Sequence, residues 1–140
     1  MDIDPRGPRF GAVITVAVLA VVLITGSTWL LAVQMLVFAA GALAGLRYAP
    51  YGIVYRRLVR PRLGPPAHTE AEAPPRFAQG VGMVSALAGV LGYATGATAV
   101  GIAFTALALV AAFLNAAFDI CLGCQVYLFI QRNLRVRSSA

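Results

Sequence analysis

The sequence predicts an all-α, polytopic membrane protein with four transmembrane helices, arranged as two similar hairpins, and an interfacial helix after the second span. Of its 140 residues, 60% are hydrophobic and only 11% are charged, whereas a soluble domain has about a quarter of its residues charged. The apolar residues also fall into four uncharged runs, each close to the roughly 20 residues that cross a bilayer core. Composition and patterning together favour a multi-pass membrane protein over a soluble domain.

The four apolar runs are predicted to pair as two transmembrane hairpins. The runs cover residues 10–25, 29–46, 77–95 and 98–118. The first two form a hairpin over residues 10–46, because a short stretch that begins at Gly26 provides a tight turn between them. The last two begin a second hairpin over residues 77–131, with its turn at Gly96.

The two hairpins resemble each other in sequence, which indicates an internal duplication. The tripeptide PRF precedes both hairpins, starting at Pro8 and at Pro75, and a Thr-Gly pair starts both turns, at Thr25 and Thr95. Both copies would then have the same orientation in the membrane.

Glycines four residues apart occur in the second and third runs, at Gly41 and Gly45 and at Gly92 and Gly96. This spacing lets two helix backbones approach closely. It favours packing between helices of one chain, and it is also compatible with a homo-oligomer.

All eleven basic residues are Arg, and their positions predict the orientation of the chain. They are Arg6, Arg9, Arg47, Arg56, Arg57, Arg60, Arg62, Arg76, Arg132, Arg135 and Arg137. They therefore lie in an N-terminal tail (1–9), a central segment (47–76) and a C-terminal tail (132–140). Because cytoplasmic loops are enriched in Arg, all three are predicted to be cytoplasmic in a bacterial inner membrane. Since the basic residues flank apolar runs, nucleic acid is not expected as a partner.

The central segment is predicted to consist of two parts. After Pro50, apolar and Arg residues are mixed in a way that suits an amphipathic helix in the headgroup region. Its arginines Arg56, Arg57, Arg60 and Arg62 are expected at the membrane surface or against a partner. The stretch LGPPAHTEAEAPP that follows is a Pro-rich, exposed linker.

The two cysteines, Cys121 and Cys124, form the motif CLGC near the end of the fourth run. On a continuous helix they lie about 60° apart around the axis and share a face. A helix that starts near Thr98 places them at the cytoplasmic edge of the membrane, where a reducing cytosol disfavours a purely structural disulfide.

Three interpretations of the CLGC motif stay open. Cys121 and Cys124 have the spacing of a redox-active or sulfur-carrying dithiol. They also suit half of a soft-metal site, because Cu(I) or Hg(II) accepts two thiolates. Finally, they could be small apolar residues without chemistry.

The acid at Asp119 stands directly before the motif, and an acid at membrane depth is a functional candidate. On a regular helix it points about 200° away from Cys121, so it reaches the thiols only if the helix opens there. The alternative for Asp119 is a structural ion pair with Arg47 or Arg56.

Four stretches, DPRGPRF, PYGIVYRRLVRPRLGPP, PPRFAQGVG and LNAAFDICLGCQVYL, together resemble a bacterial, largely actinobacterial membrane family called domain of unknown function 4395. The resemblance covers nearly the whole chain, and the shared Cys-Leu-Gly-Cys corresponds to Cys121 and Cys124. It implies thiol or sulfane-sulfur exchange with thioredoxin-like or rhodanese-like (sulfurtransferase) proteins.

The expected function is therefore exchange of disulfide or sulfane sulfur between the dithiol Cys121/Cys124 and a soluble cytoplasmic protein. Asp119 is a candidate proton-handling residue beside it. A membrane quinone is a candidate electron acceptor, since no motif for another redox cofactor is present. The alternatives are a transport component for a soft metal or sulfur compound, and a non-catalytic subunit that docks a partner.

Overall fold

The computed structural model describes residues 2–4, 6–118 and 120–139, and these residues are almost entirely helical. In chain order the elements are β1 (Asp2–Ile3), α1 (Arg6–Thr25), α2 (Thr28–Ala39), a π-helical turn (Ala40–Ala44), a 3₁₀ turn (Leu46–Tyr48), α3 (Pro50–Val54), a second π-helical turn (Tyr55–Val59), α4 (Arg60–Leu63), β2 (Glu70–Ala71), α5 (Ala73–Ala94), α6 (Thr98–Phe118) and α7 (Leu122–Ser139). The predicted all-α fold is confirmed, and the two short strands β1 and β2 form one antiparallel pair.

Three helices, α1, α5 and α6, are long and apolar enough to cross a membrane. They contain 20, 22 and 21 residues, which matches the length that a bilayer core requires. The second predicted span corresponds to a shorter apolar helix, Thr28–Ala44. These apolar helices indicate a membrane protein. A fourth span remains a prediction.

The four apolar helices α1, α2, α5 and α6 pack around one apolar core. Helix α1 packs mainly on α6, α2 on α5, and α5 also on α6. The buried side chains of the core are Leu19, Val22, Leu31, Phe38, Ala86 and Ala108. Each helix also buries one polar side chain, namely Thr15, Gln34, Ser85 or Thr105.

Both predicted turns contain a glycine in the left-handed region, with φ of 66° at Gly26 and 86° at Gly96. Only glycine adopts this region without a steric cost. At the first turn, the Ser27 side chain accepts a hydrogen bond from the Leu30 N–H, which caps the start of α2.

Helices α5 and α6 approach to backbone contact at Gly92. A Cβ added there would lie 2.5 Å from the backbone nitrogen of Gly101. Gly41 instead faces the side chain of Gln79 on α5. In both cases the small residue serves packing within the chain, as the spacing favours.

The sequence left open whether the helix stays regular or opens at the CLGC motif, and the structure shows it open: α6 ends at Phe118 and α7 begins at Leu122. The Ile120 N–H donates to the Leu114 carbonyl across the break. The Arg9 Nε donates to the carbonyl of Ala116 at 3.1 Å, so an unsatisfied carbonyl at the end of α6 gains a partner from α1.

After the break, α7 lies against the basal end of the bundle, which comprises the first turns of α1 and α5 and the last turns of α2 and α6. There α7 packs mainly against α5. The stretch between α2 and α5 lies at the same end, because Arg76 Nε on α5 donates to the carbonyl of Ala42. Both halves of the chain therefore end at one end of the bundle.

Candidate functional site

The CLGC motif lies at the start of α7, with Cys121 immediately before the helix. The Cys124 N–H donates to the Sγ of Cys121 at 3.2 Å, and the Gln125 N–H donates to the Cys121 carbonyl at 3.0 Å. Free N–H groups at a helix start carry a partial positive charge. The sulfur of Cys121 thus occupies a position that stabilises negative charge.

Cys121 and Cys124 are joined by a disulfide, with their Cα atoms 5.1 Å apart. Both residues are half-buried. The disulfide is therefore partly exposed at the surface of the protein.

Gly123, between the two cysteines, positions the motif against α5. A Cβ at Gly123 would lie 2.5 Å from the Cβ of Ala78, so no larger residue fits without moving α7. Four residues later, the Tyr127 ring packs against Phe77 with centroids 5.6 Å apart. This role of Gly123 in close packing was not predicted from the sequence.

Of the other predicted site residues, Asp119 lies outside the described residues, so neither its role toward the thiols nor an ion pair with Arg47 or Arg56 is tested. Across the described ranges, no group of three or more His, Cys, Asp or Glu side chains could hold a metal ion. The metal interpretation would therefore rest on Cys121 and Cys124 alone, and these are bonded to each other here.

A second polar cluster, missed from the sequence, surrounds Asp4 at the basal end. The Asp4 side chain is only 6% exposed and accepts hydrogen bonds from the Arg6 backbone and guanidinium and from the Tyr55 hydroxyl at 2.9 Å. Arg60 approaches the same carboxylate, with Nε 3.9 Å from Oδ2. The cluster joins the N-terminus to the segment after α2.

Hydrogen bonding controls the ionisation of this cluster. Burial by itself raises the pKa of Asp4, but the hydrogen bonds from Arg6 and Tyr55 outweigh it, so the pKa lies below its ordinary value of 3.8. Burial and the neighbouring Asp4 carboxylate raise the pKa of Tyr55. Asp4 is thus charged and Tyr55 neutral at neutral pH.

The four predicted surface arginines differ in their surroundings. Arg56, Arg57 and Arg62 are exposed and Arg60 is half-buried, and of these four Arg56 and Arg60 line a cavity at the basal end. Arg56 Nη2 also donates to the backbone carbonyl of Arg47. Their common amphipathic pattern could not distinguish these two pairs.

No curated protein and no solved structure matches the chain. A family model does match residues 3–132, and it is described as a domain of unknown function. As the four sequence stretches predicted, the chain belongs to the domain of unknown function family DUF4395.

Proposed function

We propose that the protein is a four-span membrane protein of the bacterial inner membrane, which exchanges disulfide or sulfane sulfur with a soluble cytoplasmic protein through Cys121 and Cys124. Both termini and the central segment face the cytoplasm in this proposal, since all eleven arginines flank apolar runs on one side. The soluble partner is a thioredoxin-like or sulfurtransferase protein.

The observation that carries the proposal is the half-buried Cys121–Cys124 disulfide at the start of α7. A cysteine directly before a helix, three residues ahead of a second cysteine, is the arrangement in which a thiolate is stabilised and a disulfide is readily exchanged. The N–H of Cys124 already points at the sulfur of Cys121. Inert apolar cysteines would not require this arrangement.

Exchange would proceed in two steps. A partner thiolate attacks the Sγ of Cys124, which forms a mixed disulfide and releases Cys121 as a thiolate held by the helix N–H groups. A second thiol of the partner then loses its proton and attacks the partner's sulfur in the mixed disulfide. The partner is released with its own disulfide, and Cys124 is released as a thiolate. Two electrons pass to the pair Cys121/Cys124, and two protons from the solvent complete the dithiol.

Reoxidation of the dithiol requires an acceptor of two electrons and two protons. A membrane quinone fits this stoichiometry, because its reduction to quinol consumes both while the disulfide forms again. The proposal thus connects a soluble thiol protein to the quinone pool of the membrane.

Single cysteine variants test the proposal with thioredoxin, reduced beforehand, as the probe. In Cys121→Ser, Cys124 remains to form a mixed disulfide that no second cysteine of the protein can resolve. Once Cys124 is activated as a mixed disulfide with a small thiol, reduced thioredoxin lacking its own resolving cysteine should be trapped as a covalent complex. Cys124→Ser, treated identically, should trap less, because Cys121 is held by the helix start and is the better leaving group.

Thiol alkylation with a mass-shift reagent, before and after oxidant, provides the second measurement. Reversible protection of both cysteines is expected. Cysteines that stay unreactive under every condition would contradict the redox proposal. Protection by Cu(I) without reversible oxidation would favour a soft-metal site instead. Strong labelling by an impermeant reagent outside intact cells would contradict the cytoplasmic orientation.

A further inference from the structure

A cavity of about 350 Å³ lies at the basal end, between the start of α1 and the segment after α2. Its walls include Gly7 and Gly11 of α1, Val37 of α2 and Gln79 of α5. Its size is within the range of sites for small molecules. Among the described residues that line it there is no cysteine, so it is distinct from the disulfide site.

The charged groups of this cavity do not balance. Three arginines line it, Arg47, Arg56 and Arg60, together with the carboxylates of Asp4 and Glu72. Asp4 is shared between Arg6 and Arg60. Glu72 accepts a hydrogen bond from the Leu46 N–H at 2.9 Å.

Arg47 and Arg56 therefore have no carboxylate within ion-pair distance among the residues that the structure describes. Arg56 donates to the Arg47 backbone carbonyl, which holds it beside Arg47, and the Arg47 guanidinium lies 5.7 Å from the centre of the Tyr48 ring. With Arg6 counted, four arginines face two carboxylates. Two positive charges remain available at the cavity wall.

Two tyrosines, Tyr51 and Tyr55, line the cavity, and Tyr51 connects it to the buried Gln34 of α2. The Tyr51 hydroxyl donates to Oε1 of Gln34 at 2.6 Å. Gln34 is fully buried, and its Nε2 has no hydrogen-bond partner. Since buried polar groups normally have partners, the Gln34 Nε2 behind Tyr51 is one donor that an oxygen acceptor could satisfy.

We propose that this cavity binds a phosphate group, held by the guanidinium groups of Arg47 and Arg56. Guanidinium groups form short, charge-assisted and often forked hydrogen bonds to phosphate oxygens. A phosphate can carry two negative charges, which match the two uncompensated arginines, whereas a carboxylate carries one. The source is either the headgroup of an anionic lipid or a soluble phosphate compound.

Two double variants of equal charge test this inference. Arg47→Gln with Arg56→Gln removes the proposed donors, and Arg57→Gln with Arg62→Gln removes two exposed arginines of the same segment that do not line the cavity. Binding of inorganic phosphate to the purified protein in a neutral detergent is measured by the shift in melting temperature, against chloride at equal ionic strength. The wild type and R57Q/R62Q should bind equally, and R47Q/R56Q should bind about tenfold more weakly or worse.

A lipid experiment distinguishes the two sources. The protein is reconstituted in phosphatidylcholine with or without phosphatidic acid, and retained lipid is measured by native mass spectrometry. Retention of phosphatidic acid by the wild type and R57Q/R62Q, but not by R47Q/R56Q, identifies a lipid phosphate. Binding of inorganic phosphate without retained lipid identifies a soluble compound.

The inference is overturned if both double variants lose binding equally, which would show only general surface charge, or if the wild type binds neither probe. Arg56→Lys alone, which keeps the charge but loses the forked donors, should weaken binding partly and serves if R47Q/R56Q does not fold. No step involves the cysteines, so the result is independent of the proposed thiol chemistry.

Discussion

The two halves of the chain are held together in opposite ways. In the first half, α1 contacts α6 more than its own neighbour α2, and the segment after α2 is tied back to the N-terminus by the Asp4 cluster. In the second half, α5 and α6 meet at backbone distance beside Gly92, and the segment that follows, α7, is largely exposed. The first half is thus held together by the segment after α2, and the second half by the direct contact between α5 and α6.

This difference explains why the disulfide can be accessible in one half. Because α5 and α6 are fixed by their own contact, α7 is not needed to hold them and can remain exposed at the basal end. The segment after α2 is instead part of what fixes α1, and its buried Tyr55 contacts Gly7 of α1. Disulfide exchange is therefore more compatible with α7, because moving α7 should destabilise the bundle less than moving the segment after α2.

The largest expected effect comes from disrupting the contact between α5 and α6 in the second half. Gly92→Ala places a Cβ 2.5 Å from the Gly101 nitrogen, so α5 and α6 must separate, and we expect a loss of about 3 kcal/mol in the free energy of unfolding. Gly80→Ala on the same helix meets nothing closer than the Ala42 Cβ at 3.9 Å. This control should change stability by less than about 0.5 kcal/mol. Equal melting temperatures for the two variants would contradict the comparison.

A smaller effect is expected from disrupting the Asp4 cluster in the first half. Asp4→Asn removes the charge that Arg6 and Arg60 share, and we expect a loss of about 2 kcal/mol at neutral pH. The matched control is Glu70→Gln, because Glu70 is 56% exposed and pairs with the exposed His68. An exposed pair contributes little, so E70Q should melt close to the wild type.

The pH dependence of this loss has a definite sign. Because the pKa of Asp4 is lowered by folding, its contribution is present above the unfolded value and is lost as the pH falls through the folded value, which lies below 3.8. Melting curves of the wild type and D4N should therefore converge in acid. Curves that remain parallel would show that the charge of Asp4 does not stabilise the fold.

The sequence predicted the parts of this fold that depend on local pattern. The apolar runs, the two glycine turns and the CLGC motif can all be identified from composition and spacing. The position of the break before CLGC could not be predicted, because Asp119 is a single acid in an otherwise apolar stretch around Phe118 and Ile120, and one acid is not a helix stop signal. The contacts there come from residues distant in sequence, Arg9 and Ala78.

The Asp4 cluster was missed for the same reason. Asp4 and Tyr55 are separated by 51 positions, and nothing near Asp4 indicates that a tyrosine will cover it. The one available signal was an acid two residues from Arg6 in a chain with very few acids. Likewise, the amphipathic pattern showed that the segment with Arg56 and Arg57 has a polar face, but not which arginine turns into a cavity.

The subtlest expected effect concerns how α7 is attached. Gly123→Ala would bring a Cβ within 2.5 Å of the Ala78 Cβ and 2.6 Å of its Cα, so α7 should shift from α5 while the bundle stays folded. An opening made easier by about 1 kcal/mol would raise the rate at which a phosphine reduces the disulfide by about fivefold. Gln125→Ala, at an exposed position of the same helix, should leave this rate unchanged.

Combining Gly123→Ala with Ala78→Gly removes the contact with the Cβ but leaves that with the Cα, so partial recovery of the slow rate is expected. An unchanged rate in G123A would mean that α7 is held elsewhere, for instance by Tyr127 on Phe77. A much lower melting temperature in G123A would mean that α7 stabilises the bundle, as the segment after α2 does. Either result would remove the physical reason for assigning disulfide exchange to α7.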